Sequence, residues 1–498
     1  MKLTLKTNLK AFMLALLTTA IVGAVCPGLV HREAEAPQVS AAAADLLKNQ
    51  EVEAAFKVFD AWVRTTAGQR EQPGLSIGVV YDQDLIWAKG YGYADLARKI
   101  TATPATVYRI ASISKLFTST AIMQLRDAGK LQLDDPVANH LPWFKAIKNV
   151  HPEGPVITIR HLITHTSGLP REAPVTYWND LKFPSREEMI RLLAEQETVF
   201  PAETEWKYSN LALAIAGEIV AASSGEPYPR YIENHILNPL GMTSTYILPQ
   251  PSTSNLATGY GMRVPGKERD IEPFVDLKGL SPCGSFASTV KDLARFSSLQ
   301  FRDGAAGGAQ ILKGSTLREM HRIQWLRPDW QSGQGLGFSI RRVSGHVRIG
   351  HGGSVPGHRT QVEIAPEERM AVIVLTNAND GDPTRYVNQA WTILGPVVKR
   401  ATEKPKPAPE PDPAWEKYVG TYTWKHSDVE IMVINGELTM VVPDADNPWE
   451  SRVILIPVGP HTFRMKGGGS SGELLRFELD QSGKVIRLIA GSYYRLRK

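Results

Sequence analysis

Apolar residues recur at three- and four-residue intervals in Val52, Ala55, Phe56, Phe59, Trp62 and Val63, the stripe of a helix laid against a core. Two β-rich runs follow, 75–81 and 85–93, separated by the polar Asp82-Gln83-Asp84, which predicts an antiparallel hairpin. Helical patterns dominate from about 110 to 300, and strands return between 335 and 377 in GLGFSIRR, GHVRIG, TQVEIAP and MAVIVLTN. A helical run over 384–399 closes this unit. Strands at both ends with helices between them predict an α+β fold, an antiparallel sheet of distant segments flanked by helices and carrying a mainly helical insertion. Such a plan leaves a cleft where the helical part meets the sheet edge.

Past this unit, the alternating prolines of TEKPKPAPEPDP predict an extended linker over 401–413 and the clearest boundary in the chain. From 414 to 498 the pattern is almost purely β. Asn435-Gly436 between the alternating runs VEIMVI and ELTMVV is a strong short-hairpin signal, so this piece is expected to be a small antiparallel barrel or sandwich. At the other end, Lys2, Lys6 and Lys10 precede the apolar stretch 11–25, too short for the roughly 20 residues of a membrane span. The expectation is a cleaved signal peptide over 1–26, with an uncleaved anchor as the other possibility, followed by a spacer over 27–50 and a larger folded unit over 51–400. Export points to the periplasm or the extracellular space. Val25 is a poor residue to precede a lipidated Cys26. Cys283 is the one other cysteine, so loss of Cys26 with the leader removes any disulfide.

With 498 residues, 43% of them hydrophobic and 21% charged, the chain has the composition of an ordinary multi-domain globular protein. A net charge of +5 spread among acids gives no basic stripe, which excludes nucleic acid as an expected partner.

Candidate chemistry begins in IASISKLFTSTAIMQL, where Ser112 lies three residues before Lys115. On a helix the two share a face, placing a hydroxyl beside an amine that can act as its base once desolvated. The same Ser-x-x-Lys spacing recurs at Ser288 and Lys291. Only Lys115 is followed by a mostly apolar run, so only the first pair is expected to be buried. Tyr-x-Asn occurs at Tyr208-Ser209-Asn210, at Tyr177-Trp178-Asn179 and at Tyr386-Val387-Asn388; the first stands at the start of the apolar LALAIAGEIVAA, where a helix would hold both side chains rigidly. Gly350-His351-Gly352-Gly353 occurs in a strand, and its glycines would let a substrate backbone approach the strand edge. His161 and His165 have helical metal-ligand spacing but lack the HExxH glutamate, so no metal is expected. Nor is any cofactor.

SxxK, YxN and HxG in this order resemble the three signatures of class C β-lactamases, DD-peptidases and their esterase and D-aminopeptidase relatives. HLITHTSGLP at 161–170, GEPYPRYIENHILNPLGMTSTY at 225–246 and SFASTVKDLARF at 285–296 are similar to the family's text between them. The resemblance covers about 60–400 and implies a β-lactamase/transpeptidase-like fold and a serine hydrolase working through an acyl-enzyme on a small-molecule or peptide substrate. By the same resemblance, Ser112 is acylated, Lys115 and Tyr208 shuttle its proton, Asn210 holds the substrate amide, and the amides of Ser112 and Ser354 form the oxyanion hole, with His351 and Gly353 along the substrate strand. Many β-lactamases of this type have a lysine where His351 stands, which favours a peptidase or esterase over a β-lactamase proper. A non-catalytic penicillin-binding sensor or assembly protein is the other class on this fold. A histidine with its reference pKa near 6.5 is also expected to select carboxylate substrates less well as pH rises. The C-terminal piece resembles the lipocalin-like appendages of some members.

Overall fold

The structure, a computed structural model, describes residues 40–304, 308–343, 345–403, 410, 412–425, 427–443, 445 and 451–498. The expected leader, Cys26 and most of the proline-rich linker lie outside these residues. The chain divides into two compact units at Ile393/Leu394.

In the first unit, residues 41–48 and 50 onward are helical, which corrects the described part, 40–50, of the expected spacer. Ser40 caps helix Ala41–Lys48 and Asn49 caps helix Gln50–Gln69 through their side-chain oxygens. Alanine carries the best intrinsic helix propensity, and these caps satisfy first-turn amides that would otherwise lack partners. Ala43 and Leu46 are buried, so the segment belongs to the fold.

The predicted hairpin forms as β1 (Gly74–Tyr81) and β2 (Asp84–Asp95), with β3 (Ile100–Thr101) outside it. Two short strands, β4 (Tyr108–Arg109) and β5 (Ala287–Ser288), pair with each other. The late strands are β6 (Trp325–Leu326), β7 (Ser332–Gln334), β8 (Ser339–Val343), β9 (His346–Val355), β10 (His358–Ala365) and β11 (Met370–Thr376). They join the hairpin in one sheet of order β3-β2-β1-β11-β10-β9-β8-β7-β6. β1 lies antiparallel to β11, from Leu75 opposite Thr376 to Tyr81 opposite Met370, so segments nearly 300 residues apart in sequence are neighbours at its centre. Every residue of β11 is buried, as expected of a strand covered on both faces. Helices Ser114–Asp127 and Asn210–Ser224 are buried along most of their length in the same core.

The second unit closes eight strands into a barrel: β12 (Gly420–Trp424), β13 (Ser427–Ile434), β14 (Glu437–Val441), β15 (Val453–Gly459), β16 (Thr462–Lys466), β17 (Leu474–Leu479), β18 (Val485–Ala490) and β19 (Tyr493–Arg497). Asn435 and Gly436 turn β13 into β14 with φ of 49° and 75°, the left-handed pair that matches strand twist. β12 meets β19 to complete the barrel around a core of its own that includes Tyr418, Tyr422, Phe463 and Phe477.

Candidate active site

The segment that presents Ser112 is bent before it becomes a helix. Ala111 takes φ of 47°, a left-handed conformation that an alanine adopts only under constraint. Two contacts fix it: the Ile110 amide donates to the Phe286 carbonyl at 2.8 Å, and the Ser114 hydroxyl donates to the Ala111 carbonyl at 2.6 Å. Ser112 therefore lies in a 3₁₀ turn, Ala111–Ile113, ahead of helix Ser114–Asp127.

Lys115 is 1% exposed and donates three hydrogen bonds, to Ser112 Oγ at 3.1 Å, Asn210 Oδ1 at 2.9 Å and the Cys283 carbonyl at 2.7 Å. The Tyr208 hydroxyl meets Ser112 Oγ from the other side at 3.0 Å. Tyr208 precedes helix Asn210–Ser224, whose cap Ser209 accepts from the Ala212 amide and donates to the Pro170 carbonyl at 2.6 Å. Above its ring lie two cations, Lys115 Nζ at 4.9 Å and Arg171 Cζ at 5.0 Å from the centroid. The duplicates lie elsewhere: Ser288 is wholly buried in β5 against Thr245, Lys291 is exposed, Tyr177 is 54% exposed, and Tyr386 packs edge-on against Trp62.

Asn210 is used at both ends, since its Nδ2 also donates to Glu172 Oε1 at 2.8 Å. The other oxygen of Glu172 is buried without a partner. Sequence reasoning did not single out Glu172, although it follows the HTSGLP stretch by two residues; nor could it foresee the Cys283 carbonyl, a main-chain atom that any residue would supply.

β8 pairs with β9 only as far as Ser339 opposite Gly350, so His351–Val355 runs on with no β8 partner facing the cleft. A Cβ on Gly353 would collide with the Ile110 carbonyl and the Thr360 hydroxyl, so this glycine lets β9 approach the segment that carries Ser112. Ser112, Tyr208, Asn210, His351, Gly353 and Ser354 all line one cleft of ≈ 1130 Å³.

His351 departs from expectation. Burial and the charge of Lys115 pull its pKa down to about 4, against a smaller opposing pull from the Gly352 carbonyl, 2.6 Å from Nδ1. It is neutral across the physiological range, so the expected fading charge selection is withdrawn. His165, buried behind Tyr208 at 4.4 Å between ring centroids, is likewise held well below the ordinary histidine value by burial and surrounding cations. It accepts the Ser209 amide at Nδ1, and His161 Nδ1 accepts the Thr158 amide, so each of the two histidines of HLITH anchors backbone.

Residues 59–395 match the family model described as Beta-lactamase. The chain is similar to Beta-lactamase-like protein 2 of Dictyostelium discoideum, 26% identical over 86% of this chain and 82% of that one. Among solved structures, it is similar to the octameric penicillin-binding protein homologue from Pyrococcus abyssi, at a TM-score of 0.60 and 24% identity, over 89% of this chain and 100% of that one. The fold is also shared with a D-stereospecific amidohydrolase from Streptomyces sp., at a TM-score of 0.53 and 23% identity over 66% of this chain and 96% of that one. On this match, which takes in every residue of the cleft named above, the chain belongs to the beta-lactamase family.

Proposed function

We propose that the protein is a serine hydrolase that cleaves amide or ester bonds through an acyl-enzyme on Ser112. The observation that carries this reading is the convergence of Lys115 Nζ and Tyr208 Oη on Ser112 Oγ, at 3.1 and 3.0 Å. A serine hydroxyl attacks a carbonyl carbon only as its proton is taken, and whichever of the two partners is unprotonated can take it. As the Oγ–C bond forms and the bond to the leaving group breaks, that proton passes to the departing nitrogen or oxygen. Water then attacks the acyl carbon by the reverse route and frees Ser112. The two cations over the Tyr208 ring attract negative charge that develops on its oxygen during transfer. Asn210 still has one Nδ2 hydrogen and one Oδ1 lone pair for a substrate amide. The amides of Ser112 and Ser354 are the proposed oxyanion donors.

A neutral His351 supports peptide amides and esters over substrates selected by a free carboxylate opposite Ser112. Lys2, Lys6 and Lys10 ahead of the apolar stretch 11–25 support a setting outside the cytoplasm. The test is turnover of p-nitrophenyl acetate and of D-aminoacyl amides, with mass spectrometry of Ser112 after exposure to a fluorescent penicillin. Turnover lost in Ser112→Ala together with a label on Ser112 supports the hydrolase. A label without turnover of any ester, amide or β-lactam would make the protein a sensor.

A further inference from the structure

Arg109 is 3% exposed, yet its Nε has no hydrogen-bond partner, and among the described residues no carboxylate lies within ion-pair distance of its guanidinium. The Phe274 ring packs against it, 4.5 Å from Cζ to the centroid. A buried guanidinium nitrogen without a hydrogen-bond partner is costly, and native proteins retain one mainly where something else completes it. Burial lowers its pKa to about 10, only partly offset by Asp276.

The same side chain lines a cavity of ≈ 670 Å³ that shares no lining residue with the Ser112 cleft. Its walls are apolar where Pro227, Tyr228, Leu248, Pro249 and Val275 contribute. Helix Ser281–Gly284 lies between the two: Ser281 and Pro282 line this cavity, while the Cys283 carbonyl holds Lys115. Most other charges on the walls are already engaged. Arg186 donates to Glu218 at 2.7 Å, His235 meets Glu226 at 2.8 Å, and Asp276, exposed at the rim, accepts the Lys278 amide at 2.9 Å. Lys278 also lines the cavity but is exposed to solvent, so among the described residues Arg109 is the buried cation of the lining without a counter-charge in contact.

We propose that this cavity is a second ligand site, separate from the Ser112 cleft, that takes a small carboxylate bearing an apolar body. The guanidinium fork matches the two oxygens of a carboxylate, and the proline- and leucine-lined walls match an aliphatic or aromatic remainder. A dianion such as phosphate is disfavoured by the three acids on the walls, and an ammonium by Arg109 itself. The full chain is titrated calorimetrically with hexanoate, hexanol and inorganic phosphate. Saturable hexanoate binding is expected, at least about tenfold tighter than hexanol or phosphate, because only the carboxylate forms the charge-assisted pair. Arg109→Met should abolish it. Leu248→Trp, at a half-exposed position where folding is not at risk, should weaken it at least about tenfold by filling the mouth. Ser112→Ala should leave it unchanged. Absence of saturable binding, equal affinity for hexanol, or full hexanoate affinity in Leu248→Trp overturns the site. So does loss of binding in Ser112→Ala, which would put hexanoate in the catalytic cleft.

Discussion

Asn210 Nδ2 donates to Glu172 Oε1 at 2.8 Å while Asn210 Oδ1 accepts from Lys115 Nζ at 2.9 Å, so a carboxylate outside the three signatures sets the orientation of the amide that holds the lysine. Without Glu172 the amide is free to rotate and present its NH₂ group in place of the oxygen that accepts from Lys115 Nζ. Glu172→Ala is expected to lower kcat/KM by at least about tenfold, the scale of one hydrogen bond to a charged group. Glu172→Gln retains an acceptor oxygen and should recover most of it. Equal loss in both variants, by steady-state kinetics, would show that the negative charge matters and not the orientation.

Ser112, Lys115 and Tyr208 form one hydrogen-bonded unit, so their deletions should not add. Ser112→Ala, Lys115→Ala and Tyr208→Phe are each expected to cut turnover by at least about a hundredfold. The double variant Lys115→Ala/Tyr208→Phe should match the worse single one. Lys291→Ala, in the exposed duplicate motif, should retain full activity; its failure to do so would move the chemistry away from Ser112.

The depressed pKa of His351 replaces the falling substrate ratio expected from the sequence with a flat one and adds a stability effect at low pH. Its folded value of about 4 lies below the ordinary 6.5, so between these values the unfolded chain binds a proton that the folded one does not. Stability from this group is therefore complete above about pH 6.5 and is lost as pH falls toward 4. The melting temperature should drop over that window, and less steeply in His351→Gln. From about pH 5.5 to 8.5 the ratio of kcat/KM for carboxylate substrates to that for neutral esters should stay flat. A ratio that falls with rising pH would mean His351 titrates in the open cleft.

Much of this was legible in the chain. The apolar run after Lys115 separated it from Lys291, because burial of a helix is written in its periodicity, and the alternating runs around Asn435-Gly436 gave the barrel's hairpin. What could not be read was backbone: the left-handed Ala111, the Cys283 carbonyl under Lys115, and the β8 pairing that stops at Gly350. Main-chain atoms carry no residue code. The neutrality of His351 was equally hidden, since it depends on burial first and then on Lys115 lying near it in space while 236 positions away in sequence. Residues 40–50 were misread because alanine-rich helix and polar spacer share a composition, and only the caps at Ser40 and Asn49 distinguish them.

Two neighbouring glycines in the third signature should differ sharply. A Cβ at Gly353 strikes backbone at Ile110, two residues before Ser112, whereas a Cβ at Gly352 meets the Gln361 side-chain oxygen at 3.0 Å, which can swing aside. Gly353→Ala is expected to reduce activity by at least about tenfold by pushing β9 from the nucleophile segment, the scale of a displacement near one ångström. Gly352→Ala should stay within about threefold, an effect below the ~1 kcal/mol of a typical substitution. Similar losses in both, compared at matched folded fractions by circular dichroism, would show that β9 is not held by that contact.

The two units have separate hydrophobic cores, which predicts separate unfolding. The barrel core gathers Tyr418, Tyr422, Phe463, Phe477 and Leu488, all nearly inaccessible, while the first unit's core contains none of them. Barrel closure is secured locally as well: Arg497 donates to the Lys417 carbonyl at 2.8 Å and the Val419 carbonyl at 2.7 Å, and the Lys498 amide donates to Thr421 at 3.0 Å. A closed barrel leaves no open edge to be completed by another segment. Residues 412–498 expressed alone should therefore fold with a cooperative thermal transition, and deletion of 404–498 should leave a chain that still turns over ester substrate. Calorimetry of the full chain should then show two transitions, each at the temperature of its isolated fragment. A single transition in the full chain, with neither fragment folding by itself, would mean that the units depend on each other for stability and that separate cores do not here make separate domains.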